Sequence, residues 1–410
     1  MKRTLITNIG MLATPQGTAA RGGRAQGEIC ILKNAWIFIE NDVIAQVGTG
    51  TAPAAADAQT INAGGKLVTP GLVDAHTHLI FGGWRQNELA LKLHGAGYLD
   101  ILAAGGGILS TMRATKAASE EQLEAKASAA LDEMLRFGTT TAEAKSGYGL
   151  STGEECKALR VIGKLQKHHV MDLAATFMGA HAVPEAYRDN RQGYLELLCE
   201  EMLPAVREQG IAEFCDVFCE KGVFSAEESR RILLTGRQYG LRPKIHADEI
   251  EAIGGSELAG EIGAVSAEHL IVCPPSGIAS MAEGGTVACC LPATSFYLGA
   301  AYAPVQDMVQ AGVPVAMATD FNPGSCPCLN MQLVISLGCL RYRLTPEQAL
   351  TAVTLNGAAA MPICRADRIG SIEPGKQADI LIWNAEDLDY ICYRLGSNLV
   401  DTVIKKGNVV

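Results

Sequence analysis

The chain has 410 residues, 48% hydrophobic and 19% charged, with a formal net charge of −10. This is the composition of a globular protein with ample material for a core. It has no basic run or aromatic-studded basic stripe, which argues against a nucleic-acid partner, and no apolar run of the roughly 20 residues a membrane helix needs.

The chain opens in strand-like fashion. MKRTLITNIGML has two charges before a short apolar stretch broken by Thr, Asn and Gly. It is too weak for a secretory leader and reads as a first strand. TLITNIGMLAT, EICILKNAWIFIENDVIAQVG and QTINAGGKLV follow as apolar segments divided by turn residues. The last forty residues have the same character, in GSIEPGKQADILIWN and VDTVIKKGNVV. Residues 1–67 and 366–410 are therefore expected to pair into one small β-sandwich domain, with residues 68–365 inserted between them. The 13 cysteines are irregularly spaced. They read as reduced and buried, and the expected compartment is the cytoplasm.

The middle segment has another rhythm. Its β-like runs are GLVDAHTHL, TTTAEAKSG, DLAATFMGAH, FCDVFCE, PKIHADE, VSAEHL, TVACCLP and VPVAMATD. Between them lie helical stretches with capping residues, such as SEEQLEAKASAALDEMLRF and SAEESRRILLTGRQYG. Eight such alternations predict an α/β fold, a (β/α)₈ TIM barrel. A doubly wound sheet is the alternative, but GLVDAHTHLIFGG lacks the GxGxxG fingerprint of its nucleotide-binding members. The glycines at 105–107 read as a loop, either a lid or a helix break.

Barrel active sites lie at the C-terminal ends of the strands. There the runs carry His76 and His78, then Lys145 with Tyr148, His181, Glu220, His246 with Asp248 and Glu249, His269, and Asp320 with Asn322. Five of the eight histidines fall at these ends. His76 and His78, at i and i+2 of a strand, point the same way. With His246 and Asp320 they can enclose one divalent metal, Zn²⁺ or Fe²⁺. A lone HxH would be weak; its recurrence within a barrel pattern gives it weight. Cys326 and Cys328 have no CxxC partner elsewhere and read as packing residues, as do Cys215 and Cys219.

The segments DAHTHLIFGG with Arg85, KSGYGLSTGEE, MGAHAVP, IHADEI, SAEHL, ATDFNPGSCP and PGKQADILIW together resemble the amidohydrolase superfamily of metal-dependent hydrolases, over essentially the whole chain. HTH and the ADILIW-type tail are shared widely in that superfamily. KSGYGL and TDFNPGS are more specific and point to its cyclic-amide-opening members. The resemblance implies hydrolysis of the ring amide of 4-imidazolone-5-propanoate to N-formimidoyl-L-glutamate, a step of histidine degradation, by a soluble homodimer.

The resemblance also implies roles. His76, His78, His246 and Asp320 hold the metal. Asp320 relays a proton from the attacking water to the leaving nitrogen. Glu249 contacts the substrate and helps activate the water, and His269 polarises the carbonyl. Arg85 grips the propanoate. Tyr148, His181, Asn322, Gly324 and Ser325 contact substrate or product. Another cyclic amidohydrolase with two metals, or a deaminase, is the competing expectation. In the two-metal case Lys221, after Glu220, would be the carboxylated bridge.

Overall fold

The computed structural model describes residues 2–54, 57–95, 106–361 and 365–410. Of the glycine run, Gly105 lies outside the described residues. Gly107 precedes the helix Ile108–Ala117 with φ 71°.

The two ends of the chain share one sheet. β1 (Arg3–Thr14) pairs antiparallel with β2 (Cys30–Glu40), which pairs with β3 (Val43–Thr49). The other edge of β1 is divided between β4 (Gln59–Asn62) and β5 (Leu67–Pro70). After the whole middle segment, β14 (Ile380–Trp383) pairs with β5, β15 (Val400–Lys405) with β14, and β16 (Asn408–Val409) with β15. The sheet rolls up, so that the Lys2 ammonium reaches Asn408 Oδ1 and Ala378 N–H reaches Asp42 O. Alternation explains what it encloses, since Ile37 and Ile39 lie one pleat apart on the same face. They join Ile6, Ile9, Ile44, Ile380, Ile382 and Ile404 in an aliphatic core separate from that of the middle segment.

The middle segment is an α/β barrel. β6 (Leu72–Asp74), β7 (Thr139–Lys145), β8 (Asp172–Ala180), β9 (Phe214–Cys219), β10 (Arg242–Ala247), β11 (Ser266–His269), β12 (Val287–Cys290) and β13 (Val315–Met317) form one sheet in sequence order, every neighbouring pair parallel. All eight runs read from the sequence coincide with one of these strands, with PKIHADE starting one residue inside β10. The intervening helices start where their caps dictate. Ser119 and Ser225 each make a capping box, opening the helices Glu120–Arg136 and Ala226–Gln238.

The seam between β6 and β13 closes just beyond the strands themselves. His78 N–H donates to Phe321 O at 2.9 Å and Asp320 N–H to His76 O at 3.0 Å. One residue row below, Asp74 accepts from the Thr319 backbone at 3.0 Å and from its hydroxyl at 2.6 Å. The backbone bonds that zip the barrel shut thus run through His76, His78 and Asp320, residues expected to hold a metal.

Candidate active site

Four ligand atoms converge at the top of this seam. Asp320 Oδ1 lies 3.4 Å from His76 Nε2 and 3.6 Å from His78 Nε2, and His246 Nε2 lies 3.3 Å from His78 Nε2. A tetrahedral ion with bonds of about 2.1 Å would have ligand–ligand edges of about 3.4 Å. The chemistry fits as well. Burial holds the His76 and His78 rings well below the usual histidine pKa, so both are neutral imidazoles. His76 Nε2 is buried with no hydrogen-bond partner among the described residues. A cation is the natural partner for such an atom. His269 also approaches His76 and His246 closely enough to join a ligand group with them.

The other ring nitrogens fix the tautomers. His76 Nδ1 faces Glu268 Oε2 at 3.0 Å and His246 Nδ1 faces Asp216 Oδ1 at 3.1 Å. Each Nδ1–H donates to a carboxylate, which leaves Nε2 as the lone-pair donor. Asp216 and Glu268 were missed in the sequence. Their signal was a charged residue inside an otherwise apolar strand. Thr294 was missed too. Its hydroxyl donates to Asp320 Oδ2 at 2.6 Å and leaves Oδ1 facing the histidines.

Three strand ends bend sharply where they deliver these groups. Asp248, His269 and Asp320 adopt left-handed backbone with φ of 52°, 68° and 55°. Each such residue costs on the order of 1 kcal/mol or more, a strain that clusters at functional sites. Glu249 follows Asp248, its side chain 17% exposed and 3.7 Å from His269 Nε2. Burial pushes its pKa up to about 7, against the pull of His246. Burial lowers His269 to about 4, which keeps it neutral. Glu220 holds this corner from below. Its carboxylate accepts the backbone N–H of Lys221, Ile250 and Glu251 at 2.8, 2.9 and 3.1 Å. Lys221 pairs with Glu251 in solvent, its side chain 67% exposed, whereas the candidate ligands are buried.

One wall is built by the loops after β7 and β8. His181 stacks on His78 with ring centroids 4.8 Å apart, and Tyr148 lies 5.2 Å from His181. His181 Nδ1 is 3.0 Å from Gly147 O, so that nitrogen is the donor. Gly147 has φ 111°, and a Cβ there would sit 3.0 Å from the same His181 nitrogen. The glycine is needed on both counts.

The loop after β13 makes another wall. Asn322 staples it. Its Oδ1 accepts from Gly324 and Ser325 N–H, and its Nδ2 donates to Asp320 O and Ser325 Oγ. Arg85 lies against this loop, so closely that a Cβ on Gly324 would come within 2.0 Å of its Nη1. Glu88 orients Arg85 through two parallel bonds of 2.9 Å and also accepts the Gly107 N–H. Cys326 is buried, but no cysteine joins a candidate metal group among the described residues.

The profile of the amidohydrolase family matches residues 67–410. The chain belongs to the amidohydrolase family. That family is metal-dependent, in keeping with the histidine cluster. An imidazolonepropionase of Alkaliphilus metalliredigens is 50% identical over 100% of this chain and 98% of its own length. One of Bacillus cereus is 48% identical over 100% and 97%. Among solved structures, a triazine hydrolase variant matches with a TM-score of 0.75 at 17% identity, covering 100% of this chain and 94% of that one. A zinc-bound adenosine deaminase from Xanthomonas campestris matches at 0.72 and 21%, covering 99% and 92%. These two likenesses speak to the fold. No helix among the described residues is long and apolar enough to cross a membrane.

Proposed function

We propose that this protein hydrolyses the ring amide of 4-imidazolone-5-propanoate to N-formimidoyl-L-glutamate, the imidazolonepropionase reaction. One coincidence supports the reading. A three-imidazole, one-carboxylate ligand set and a guanidinium meet at the Asp320–Ser325 loop, in a chain half identical to an imidazolonepropionase along its whole length. His76, His78, His246 and Asp320 would hold one divalent ion, Zn²⁺ or Fe²⁺. When bound, such an ion polarises a carbonyl and acidifies water.

The remaining work falls to the chain's own residues. Arg85 holds the propanoate; Glu88 already occupies Nε and one Nη2 position, so the Nη1 edge receives the carboxylate. His181, its Nδ1–H committed to Gly147, offers Nε2 as acceptor for a ring N–H. Tyr148 stays protonated, because burial and Asp320 raise its pKa, and it serves as a donor. Gly324 and Ser325, shaped by Asn322, line the far end of the substrate.

Glu249 takes a proton from the attacking water and delivers it to the departing nitrogen. Burial raises its pKa above the ordinary carboxylate value, which helps it carry the proton between the two. The Thr294 hydroxyl fills Asp320 Oδ2, which favours Glu249 over Asp320 as the carrier. Neutral His269 faces the carbonyl oxygen as charge develops on it.

The test is a coupled assay. Urocanase makes the imidazolone from urocanate in place, and its ultraviolet absorbance is followed after this protein is added. Rapid protein-dependent loss that a chelator stops, with formimidoyl-glutamate as product, is the expected result. A metal-loaded protein that leaves the imidazolone to decay at its spontaneous rate would overturn the reading.

A further inference from the structure

Beneath the ligand set, five charged side chains lie buried in the barrel, each with no exposed surface: Glu143, Lys145, Asp216, Lys244 and Glu268. They form a continuous chain. From His246 Nδ1 it runs 3.1 Å to Asp216 Oδ1, and from Asp216 Oδ2 2.7 Å to Lys145 Nζ. Lys145 Nζ lies 2.8 Å from Glu143 Oε1, and that same oxygen lies 2.9 Å from Lys244 Nζ. Lys244 Nζ continues 3.3 Å to Glu268 Oε1, and Glu268 Oε2 ends the run 3.0 Å from His76 Nδ1. Both ends are thus ligands of one candidate metal site. The signs alternate at every step, and an ion between the two histidines would close the chain into a ring.

The arrangement departs from ordinary barrel packing. Buried ions are costly unless paired and hydrogen-bonded, and apolar side chains would fill the same space more cheaply. Every charge here has an opposite neighbour, and of these five side chains only Glu143 Oε2 is without a hydrogen-bond partner among the described residues. Glu143 Oε1 also accepts the Thr176 hydroxyl at 2.5 Å, Glu268 Oε1 accepts Ser266 Oγ at 2.6 Å, and Lys244 donates to Ala75 O at 3.0 Å, beside His76. With the lysines protonated and the carboxylates ionised, the chain holds two positive and three negative charges. Asp320 adds a fourth negative charge, and a divalent cation would bring these six residues and the ion together to neutrality.

We propose that this ring is a charge-balanced positioning device, with Glu143 as its hub, which fixes two metal ligands and sets the site's affinity for a divalent cation. Glu143 touches neither metal ligands nor substrate. It is a positioning residue, acting through Lys145 and Asp216 on His246 and through Lys244 and Glu268 on His76. The proposal rests on the metal-site reading above and not on the identity of the substrate.

The test measures zinc affinity by competition with a chromophoric chelator, together with melting temperatures of the zinc-loaded and chelated protein. Glu143→Gln keeps the shape and removes one negative charge, which leaves the five-residue chain neutral without the ion. Zinc binding should weaken about 10- to 100-fold, the usual cost of disturbing outer-shell partners. The gap in melting temperature between loaded and chelated forms should shrink, mainly through loss in the loaded form. Asp216→Asn, on one arm of the ring, should act in the same direction. If Glu143→Gln does not fold, Thr176→Val removes only a neutral bond to the hub oxygen and should weaken zinc a few-fold. Unchanged zinc affinity, or an equal fall of both melting temperatures, would overturn the proposal. A wild-type protein that binds no zinc or iron would instead overturn the metal site itself.

Discussion

The rolled sheet at the chain ends and the interior of the barrel are both built from buried strands, but what they bury differs in kind. The sheet encloses isoleucine, leucine, valine and alanine. The barrel, at the level just under its site, encloses two lysines and three carboxylates. An aliphatic core needs only alternation and volume. An ionic one needs each partner in place, because an unpaired buried charge costs far more than a lost methyl group. The first region holds the two ends of the chain together; the second orients side chains beneath the candidate metal site.

Substitutions can separate the two regions. The largest effect is expected at the ligands. His246→Ala, or chelation of the wild type, should abolish turnover, and only the chelated wild type should recover when metal is restored; metal analysis and activity on one sample check this. Next comes Glu249→Gln, expected to lower kcat by about 10²- to 10⁴-fold with the metal still bound. The pH profile sharpens it. Burial holds Glu249 near 7 and a bound cation pulls that value back toward the ordinary 4.5. As a base Glu249 must be ionised, so kcat/KM should fall as pH drops through this interval, and that limb should vanish in the variant.

Arg85→Ala should raise KM by about 10- to 100-fold, the worth of a charge-assisted pair of hydrogen bonds, with a milder change in kcat. A near-normal KM would remove Arg85 from carboxylate binding. Ile37→Ala, in the sheet, is the counterpart. Ile37 is fully buried, so unfolding free energy should drop by about 2–5 kcal/mol, while zinc affinity and kcat stay unchanged. If this sheet variant also lowered zinc affinity, the separation of the two regions would break.

Much of this was legible in the sequence, for definite reasons. Parallel strands buried on both faces give short apolar runs, and the helices between them carry their own caps, as at Ser119 and Ser225. Strand ends are where polar side chains interrupt those runs, so His76, His78, His246, His269 and Asp320 stood out. Glu143, Asp216 and Glu268 did not, because a charge within a strand is uninformative until its partners on other strands are known. Asn322 was read as a substrate contact; that its side chain also staples its own loop is something a linear pattern cannot reveal. The bidentate hold of Glu88 on Arg85 is local, three residues apart, and was within reach of spacing alone.

The seam of the barrel has a consequence for how the protein comes to exist. His76 and His78 arrive with the first barrel strand and Asp320 with the last, and the bonds that join those strands run through the ligand residues themselves. Contacts between such distant parts of a chain are slow to form, because the intervening loop must close first. A ribosome has made nearly the whole barrel before the fourth ligand emerges, and until then the cell's metal pool meets only an incomplete set. A metal held by all four of these candidate ligands would therefore be held only by a chain whose last strand has found its first.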